Sequence, residues 1–353
     1  MKKERMNIGI ALNREYYRYT YVMLYSLFEN NPESEVHVYV LNSDLTQENI
    51  AGYSNLAQRF GAVIYDMKLV SSLFENLPLV QSRWPVEIYY RLALVDILPE
   101  EVDRLLYLDA DVIVNKSLYE MYHSDMKGTL LKACKSHAPG KQPFTDIRKK
   151  IFEIPFSKGY TYFNSGVLLM NLKEMRGQYH LQTYLDALTS LNMEVVTPDQ
   201  DILNWVHWQE VEYMDEDKFV DSNRYNLVAR YAASNNLSYE YTKEEIYIIH
   251  YAGDKPWNGD ALHYYLELIW WEYAKKTPYY DILLEEFLLE TLTHSGMNEI
   301  FGALRHKCKN LEVQNMELKK TLDENIQLKK SLDECISINE QLLNILEKHN
   351  IIA

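Results

Sequence analysis

Two aspartates separated by one residue, Asp109-Ala110-Asp111, follow directly on the apolar run Leu105 to Leu108. Carboxylates at alternate positions of an extended segment can reach one hard cation and leave coordination sites for phosphate oxygens. In open α/β sheets ligands bind beyond the carboxyl ends of the strands, so acids placed just after a strand are a candidate metal site. The same D-x-D spacing recurs at Asp199-Gln200-Asp201 and Asp215-Glu216-Asp217, so spacing alone does not select. Only the first copy follows a strand-like run and continues into another, Val112 to Val114. Asp201 reads better as an acid in the first turn of a helix, where the dipole favours it, and Asp215 to Asp217 as a solvated loop. Other chemistries lack their residues. No glycine-rich phosphate loop follows the first strand in NIGIALNREYY, which counts against a dehydrogenase and a nucleotidyltransferase. Cys134, Cys308 and Cys335 supply neither a C-x-x-C pair nor a disulfide framework.

The elements that must position these acids follow from periodicity. Residues 7–12 and 35–41 read as strands, and Tyr16 to Asn30 between them carries apolar residues at helical spacing up to the stop Asn30-Asn31-Pro32. A helix is expected over Gln47 to Arg59, with Thr46 or Asp44 near its cap, and a strand over Ala62 to Tyr65. Pro85 to Leu98 reads as a further helix leading into the strand Arg104 to Leu108. Residues 135–160 read as a loop with a short helix, and Val167 to Asn171 as a buried strand. Helix resumes over 262–292. Alternating strands and helices imply an α/β fold with a mostly parallel central sheet and helices on both faces.

With 353 residues and 47% hydrophobic content the chain can bury a large core. Its formal charge of −15 excludes the basic footprint of a nucleic-acid binder. No stretch approaches the roughly 20 apolar residues of a spanning helix. Together with the cysteine usage this points to a cytoplasmic protein, or one peripheral at the inner face of the membrane. Twenty-nine tyrosines stand beside ten phenylalanines. Such side chains serve where sugars and bases are stacked and hydrogen-bonded, although coding bias with an amphipathic surface is the simpler source. From residue 298 leucines recur on one seven-residue register (Leu304, Leu311, Leu318, Leu332, Leu346), with Asn325 and Asn339 completing it. A coiled coil over 298–350 is expected, joining copies of the chain or a partner protein. The alternative is a solvated helix packed back on the main domain. The tail holds 8 Lys/Arg against 9 Asp/Glu, so the acidity belongs to the first 297 residues and the tail is no basic lipid anchor.

Four segments together, RLLYLDADVIVN (104–115), YFNSGVLLMNL (162–172), PDQDILN (198–204) and IIHYAGDKPW (248–257), resemble the family 8 retaining glycosyltransferases. These are metal-dependent GT-A-fold enzymes using UDP-sugars, and they include bacterial lipopolysaccharide glucosyl- and galactosyltransferases and glycogenin. The resemblance spans roughly residues 6–285 and implies a GT-A domain over 1–260, a helical extension over 261–297 and the tail. It implies that Asp109 and Asp111 bind Mn²⁺, or Mg²⁺, together with His250. Two carboxylates and an imidazole with open positions suit Mn²⁺ better than a structural zinc.

The resemblance further implies that Asn13 and Tyr16 read the uracil and that Ala110 and Arg91 contact the donor. Gly253 then admits the diphosphate to the backbone, and Lys255 offers it a point charge. Relatives often place two residues between this glycine and lysine, whereas here only Asp254 intervenes. Asn164, Asp199 and Gln200 correspond to sugar-contacting positions, with Gln200 and Asp199 the candidate catalytic residues. A hexose, glucose or galactose, then passes from a UDP-sugar to a glycan hydroxyl. The setting implied is cell-surface polysaccharide, lipopolysaccharide or glycoprotein glycan synthesis. Retaining glycosidases use a carboxylate nucleophile; none is evident here, which favours a same-face substitution. A non-catalytic sugar-nucleotide-binding adaptor, recruiting a partner through its tail, is the alternative reading.

Overall fold

A computed structural model describes residues 3–70, 85–126, 128–136, 157–215, 218–221, 243–253, 255–258 and 265–294, together with single positions at 74, 77, 78, 153, 338, 339 and 341. Strand β1 (Glu4–Ala11) pairs in parallel with β2 (Ser34–Asn42), which pairs in parallel with β3 (Val63–Lys68). On its other side β1 runs parallel to β4 (Leu105–Leu108). Strand β7 (Phe163–Met170) is antiparallel to both β4 and β6 (Leu131–Lys135), and β6 is parallel to β8 (Val211–Tyr213). The order is β3-β2-β1-β4-β7-β6-β8. A small second sheet, β5-β10-β9, is built from Val112–Val114, Ile248–His250 and Phe219–Asp221.

Local chemistry sets the flanking helices. Helix α1 (Tyr17–Glu29) follows a 3-10 turn, Arg14–Tyr16, whose N-cap Asn13 accepts from the Tyr16 amide at 3.3 Å. Helix α2 (Gln47–Phe60) opens with a reciprocal capping box between Thr46 and Asn49 and closes on Gly61 at φ 73°, a left-handed cap that glycine adopts without strain. Thr46 is thus the cap. Asp44 instead accepts from the Arg14 amide at 2.8 Å, tying the loop after β1 to the loop after β2. Helices α3 (Leu181–Ser190) and α4 (Pro198–His207) share one buried cluster with β4, β6 and β7.

The segment expected to be helical from Pro85 is a 3-10 helix over Val86–Ala93, followed by a single α turn, Leu94–Ile97. β-Branched and aromatic residues (Val86, Ile88, Tyr89, Tyr90) weaken its α preference. Arg91 also folds back to give its Nε to the Ile88 carbonyl at 3.1 Å. Helix also breaks between α5 (Tyr265–Ala274) and α6 (Tyr280–His294), where Pro278 intervenes. Strand β7 starts four residues earlier than the apolar pattern indicates, because Asn164 and Ser165 are polar residues buried inside it.

The chain divides into two compact units. One comprises residues 1–255 and 264–277 and holds both sheets. In it Lys276 reaches Glu29 at 2.6 Å and Asn30 reaches the Tyr273 hydroxyl at 2.8 Å, fastening the end of α5 to α1. The other comprises 256–263 and 278–353, and its described helix is α6, with Leu283 and Phe287 buried. The loop expected over 135–160 and the coiled coil expected over 298–350 fall largely outside the described residues. No helix among the described residues is long and apolar enough to cross a membrane.

Candidate functional site

Strand β4 belongs to the large sheet and β5 to the small one, and Asp109-Ala110-Asp111 is the link between them. The Asp109 amide still donates to the Gly166 carbonyl of β7 at 2.8 Å, while the Tyr251 amide donates to the Asp111 carbonyl at 3.0 Å. Strand β10 pairs antiparallel with β5 so that His250 lies opposite Val112. Backbone ladders on both sides therefore bring His250 Nε2 to 3.2 Å from Asp111 Oδ1 and 3.6 Å from Asp109 Oδ2. One ligand atom from each of the three side chains lies within 4.8 Å of the others.

The remaining oxygens are already committed. Asp109 Oδ1 accepts from Arg91 Nη2 at 2.7 Å and from the Tyr107 hydroxyl at 3.2 Å. Asp111 Oδ2 accepts from Lys255 Nζ, which also donates to the Tyr251 carbonyl at 2.6 Å. Apart from His250 Nε2, the buried Asp111 Oδ1 has no hydrogen-bond donor among the described residues. A buried carboxylate oxygen in that state is costly unless a cation completes it. Burial works to raise the Asp111 carboxyl, but Lys255 and then His250 outweigh it and hold the group well below the usual carboxylate range. The group is therefore ionised, as a metal ligand must be. Asp109 Oδ2, Asp111 Oδ1 and His250 Nε2 form an oxygen–oxygen–nitrogen set that fits Mn²⁺ or Mg²⁺.

Gly166 leaves the space this cluster occupies. A Cβ there would stand 2.2 Å from His250 Cε1 and 2.6 Å from Asp109 Oδ2. Gly166→Ala should displace the imidazole and the carboxylate together. It is expected to lower activity by about 100-fold, the scale of an ångström-sized misplacement, while circular dichroism stays native. Near-wild-type turnover would contradict this packing.

Arg91 is buried and its guanidinium stacks over the Tyr107 ring, 4.4 Å from the centroid. Its nitrogens meet Asp109, the Ser165 carbonyl at 2.7 Å and hydroxyl at 3.3 Å, and Asp199 Oδ2 at 3.1 Å. Burial pulls the guanidinium down, yet Asp109 and Asp199 more than compensate and keep it charged. Asp199 is raised, because its burial outweighs the pull of Arg91. The Ser165 hydroxyl donates to Asp199 Oδ2 at 3.0 Å and the Ser165 amide to Gln200 Oε1 at 3.0 Å. The Gln200 amide nitrogen makes no hydrogen bond to another described residue. Asn164 Oδ1 accepts from the Gly166 amide at 2.8 Å.

The structure thus brings together Asp109, Ala110, Asp111, His250, Lys255, Arg91, Asn164, Asp199 and Gln200. Tyr16 lies close enough that, after burial, Lys255 and then Asp111 and Asp109 are the main influences on its raised hydroxyl. Asn13 caps the turn that carries Tyr16. Gly253 lies in the bend between His250 and Lys255, and Asp254 is outside the described residues. Asp201 is structural: its carboxylate accepts from the Val196 and Thr197 amides at 2.6 and 3.0 Å and from the Tyr162 hydroxyl at 2.5 Å. Tyr107, Ser165 and Gly166 are contributors that sequence reasoning passed over. Each sits inside a segment singled out for another residue.

Known proteins resemble this chain in sequence and in fold. A lipopolysaccharide 1,2-glucosyltransferase of Escherichia coli is 28% identical over 267 residues, covering 74% of this chain and 75% of that relative. The glycosyltransferase GlyE of Streptococcus pneumoniae is 25% identical over 321 residues, covering 88% and 70%. The galactosyltransferase LgtC, solved with donor and acceptor sugar analogues, superposes with a TM-score of 0.64 at 25% identity, over 77% of this chain and 96% of that one. The family model described as glycosyl transferase family 8 matches residues 7–261. With that match spanning most of its length, and with the GT-A architecture beneath it, the chain belongs to glycosyl transferase family 8 and is a sugar-transferring enzyme.

Proposed function

We propose that the protein transfers a hexose, glucose or galactose, from a UDP-sugar to a glycan hydroxyl with retention at the anomeric carbon. Mn²⁺, or Mg²⁺, would be held by Asp109, Asp111 and His250. The observation that carries this reading is the buried Asp111 Oδ1, 3.2 Å from His250 Nε2 and beside Asp109. The cation supplies a Lewis acid against the charge that grows on the departing diphosphate.

The protein's own groups do the rest. Asn13 and Tyr16 take the uracil, Tyr16 by stacking, and Ala110 contacts the donor. The Gly253 backbone and the Lys255 ammonium receive the diphosphate. Arg91, a donor contact by the resemblance, is also the fixed cation that holds Asp109 and Asp199 in place. Asn164, Asp199 and Gln200 face the sugar. The Gln200 oxygen is engaged by the Ser165 amide, so its NH₂ is the end offered to a sugar oxygen. That arrangement supports a same-face substitution. The acceptor oxygen bonds to the anomeric carbon, the bond from that carbon to the phosphate oxygen breaks, and the acceptor proton passes to the departing diphosphate.

A thermal-shift panel tests the reading. UDP-glucose or UDP-galactose, at about a hundredfold excess over Kd, should raise the melting temperature by roughly 5 °C or more with Mn²⁺ present. Without metal the shift should vanish. An equal shift in chelator would count against it.

The E. coli relative supports a cell-surface glycan as acceptor. We assign donor binding to residues 1–260, a helical extension to 261–297 and oligomer or partner binding to a coiled coil over 298–350, at a cytoplasmic or inner-membrane-peripheral location. The heptad leucines support the last assignment. Ending the chain at residue 297 should lower the mass measured by light scattering to that of a smaller assembly while turnover stays within about twofold. An unchanged assembly state would remove the coiled coil from the account.

A further inference from the structure

Both carboxylates of the metal set are already paired on their outer oxygens, Asp109 with Arg91 and Asp111 with Lys255. The two cations differ in how firmly they are held. Arg91 is fixed by several groups at once: Asp109, Asp199, the Ser165 carbonyl and the Ile88 carbonyl. Lys255 is held by Asp111 and the Tyr251 carbonyl, at the end of a flexible stem. A divalent cation entering alone would meet aspartates whose charge is largely offset, with an ammonium a few ångströms away. Like charges at that distance in a partly buried site repel strongly. A diphosphate arriving at the same moment changes the balance, because it offers Lys255 a second anionic partner.

We infer that Lys255 is the resident counter-cation of Asp111, and that it makes divalent-cation binding conditional on the donor's diphosphate, so that the two enter together. The diphosphate arm of this inference rests on the UDP-sugar reading above. Linkage requires the coupling to be reciprocal: whatever factor UDP adds to metal affinity, metal adds to UDP affinity. The role differs from that of a simple phosphate contact in the sign of one measurement. A lysine that only touches phosphate has no influence on metal binding without nucleotide. A counter-cation weakens it.

The test is calorimetric titration of Mn²⁺ into the full chain, with and without saturating UDP, for wild type, Lys255→Met and Lys255→Gln. Wild type should bind Mn²⁺ weakly alone and gain about tenfold or more from UDP. Lys255→Met should bind Mn²⁺ alone roughly fivefold tighter than wild type, and gain a smaller factor from UDP. Lys255→Gln, which keeps a hydrogen-bond donor but no charge, should behave in the same way and gives the readout if the methionine variant loses its native circular dichroism. Lys255→Arg should stay at the wild-type value in the metal-alone arm. Unchanged or weaker Mn²⁺ binding in the two neutral variants would overturn the inference. Failure of UDP to bind any of these proteins would instead strike the donor assignment, and the metal-alone comparison would still judge Lys255.

Discussion

Replacing Arg91 by methionine is expected to cost about 3–5 kcal/mol of stability, the scale measured when one partner of a buried ion pair is removed. Two carboxylates, Asp109 and Asp199, depend on this one guanidinium, and so do the Ser165 and Ile88 carbonyls. Methionine fills much of the volume but leaves the buried Asp199 carboxylate without its cation, with the Ser165 hydroxyl as its remaining side-chain donor among the described residues. The melting temperature should fall by roughly 4–7 °C. Lysine should rescue little, because one ammonium cannot span positions set by a planar fork. Thermal denaturation with a reversible baseline checks this. A loss under about 1 kcal/mol would mean that the Asp109–Arg91–Asp199 array is not a structural support.

Asp111→Asn is expected to show the largest loss of activity, about 1,000-fold or more in kcat, corresponding to roughly 4 kcal/mol of barrier. The substitution keeps the shape of the side chain and the backbone bond from Tyr251 to the residue 111 carbonyl. What it removes is the ionised oxygen aimed at His250 and the partner of Lys255. Turnover of a UDP-sugar under saturating Mn²⁺ measures the effect, with circular dichroism as the check on folding. Activity within about tenfold of wild type would remove Asp111 from the metal set.

How far the sequence foretold this arrangement depended on whether the signal was local. The strands and helices of the first 70 residues follow the hydrophobic period closely, and Thr46 with Asn49 announces the start of α2. Asp109 and Asp111 were legible because they end a strand. His250 was not legible from its surroundings. It joins the cluster through pairing of β10 with β5, a contact far along the chain, and only its resemblance to a known motif singled it out. Arg91 stood out only through the resemblance; it lies buried on a 3-10 turn, paired with Asp109 and Asp199.

The polar trio Asn164-Ser165-Gly166 lies just before the strand expected over Val167 to Asn171. Its polarity is satisfied across the fold, by Gln200, Asp199 and the trio's own backbone, so the strand continues through it. The tyrosine excess also has a partial structural answer. Tyr107, Tyr162, Tyr184 and Tyr251 are buried with their hydroxyls bonded to Asp109, Asp201, His207 and the Leu266 carbonyl. They pack as core residues and carry the hydrogen bonds that phenylalanine cannot make.

The measurement closest to the central claim is anomalous scattering from Mn²⁺ in crystals of the full chain grown with Mn²⁺ and UDP. A peak bounded by Asp109 Oδ2, Asp111 Oδ1 and His250 Nε2 is expected, with the diphosphate on its open side. A bound diphosphate with no peak at those three atoms, or a peak held by other residues, would contradict that claim.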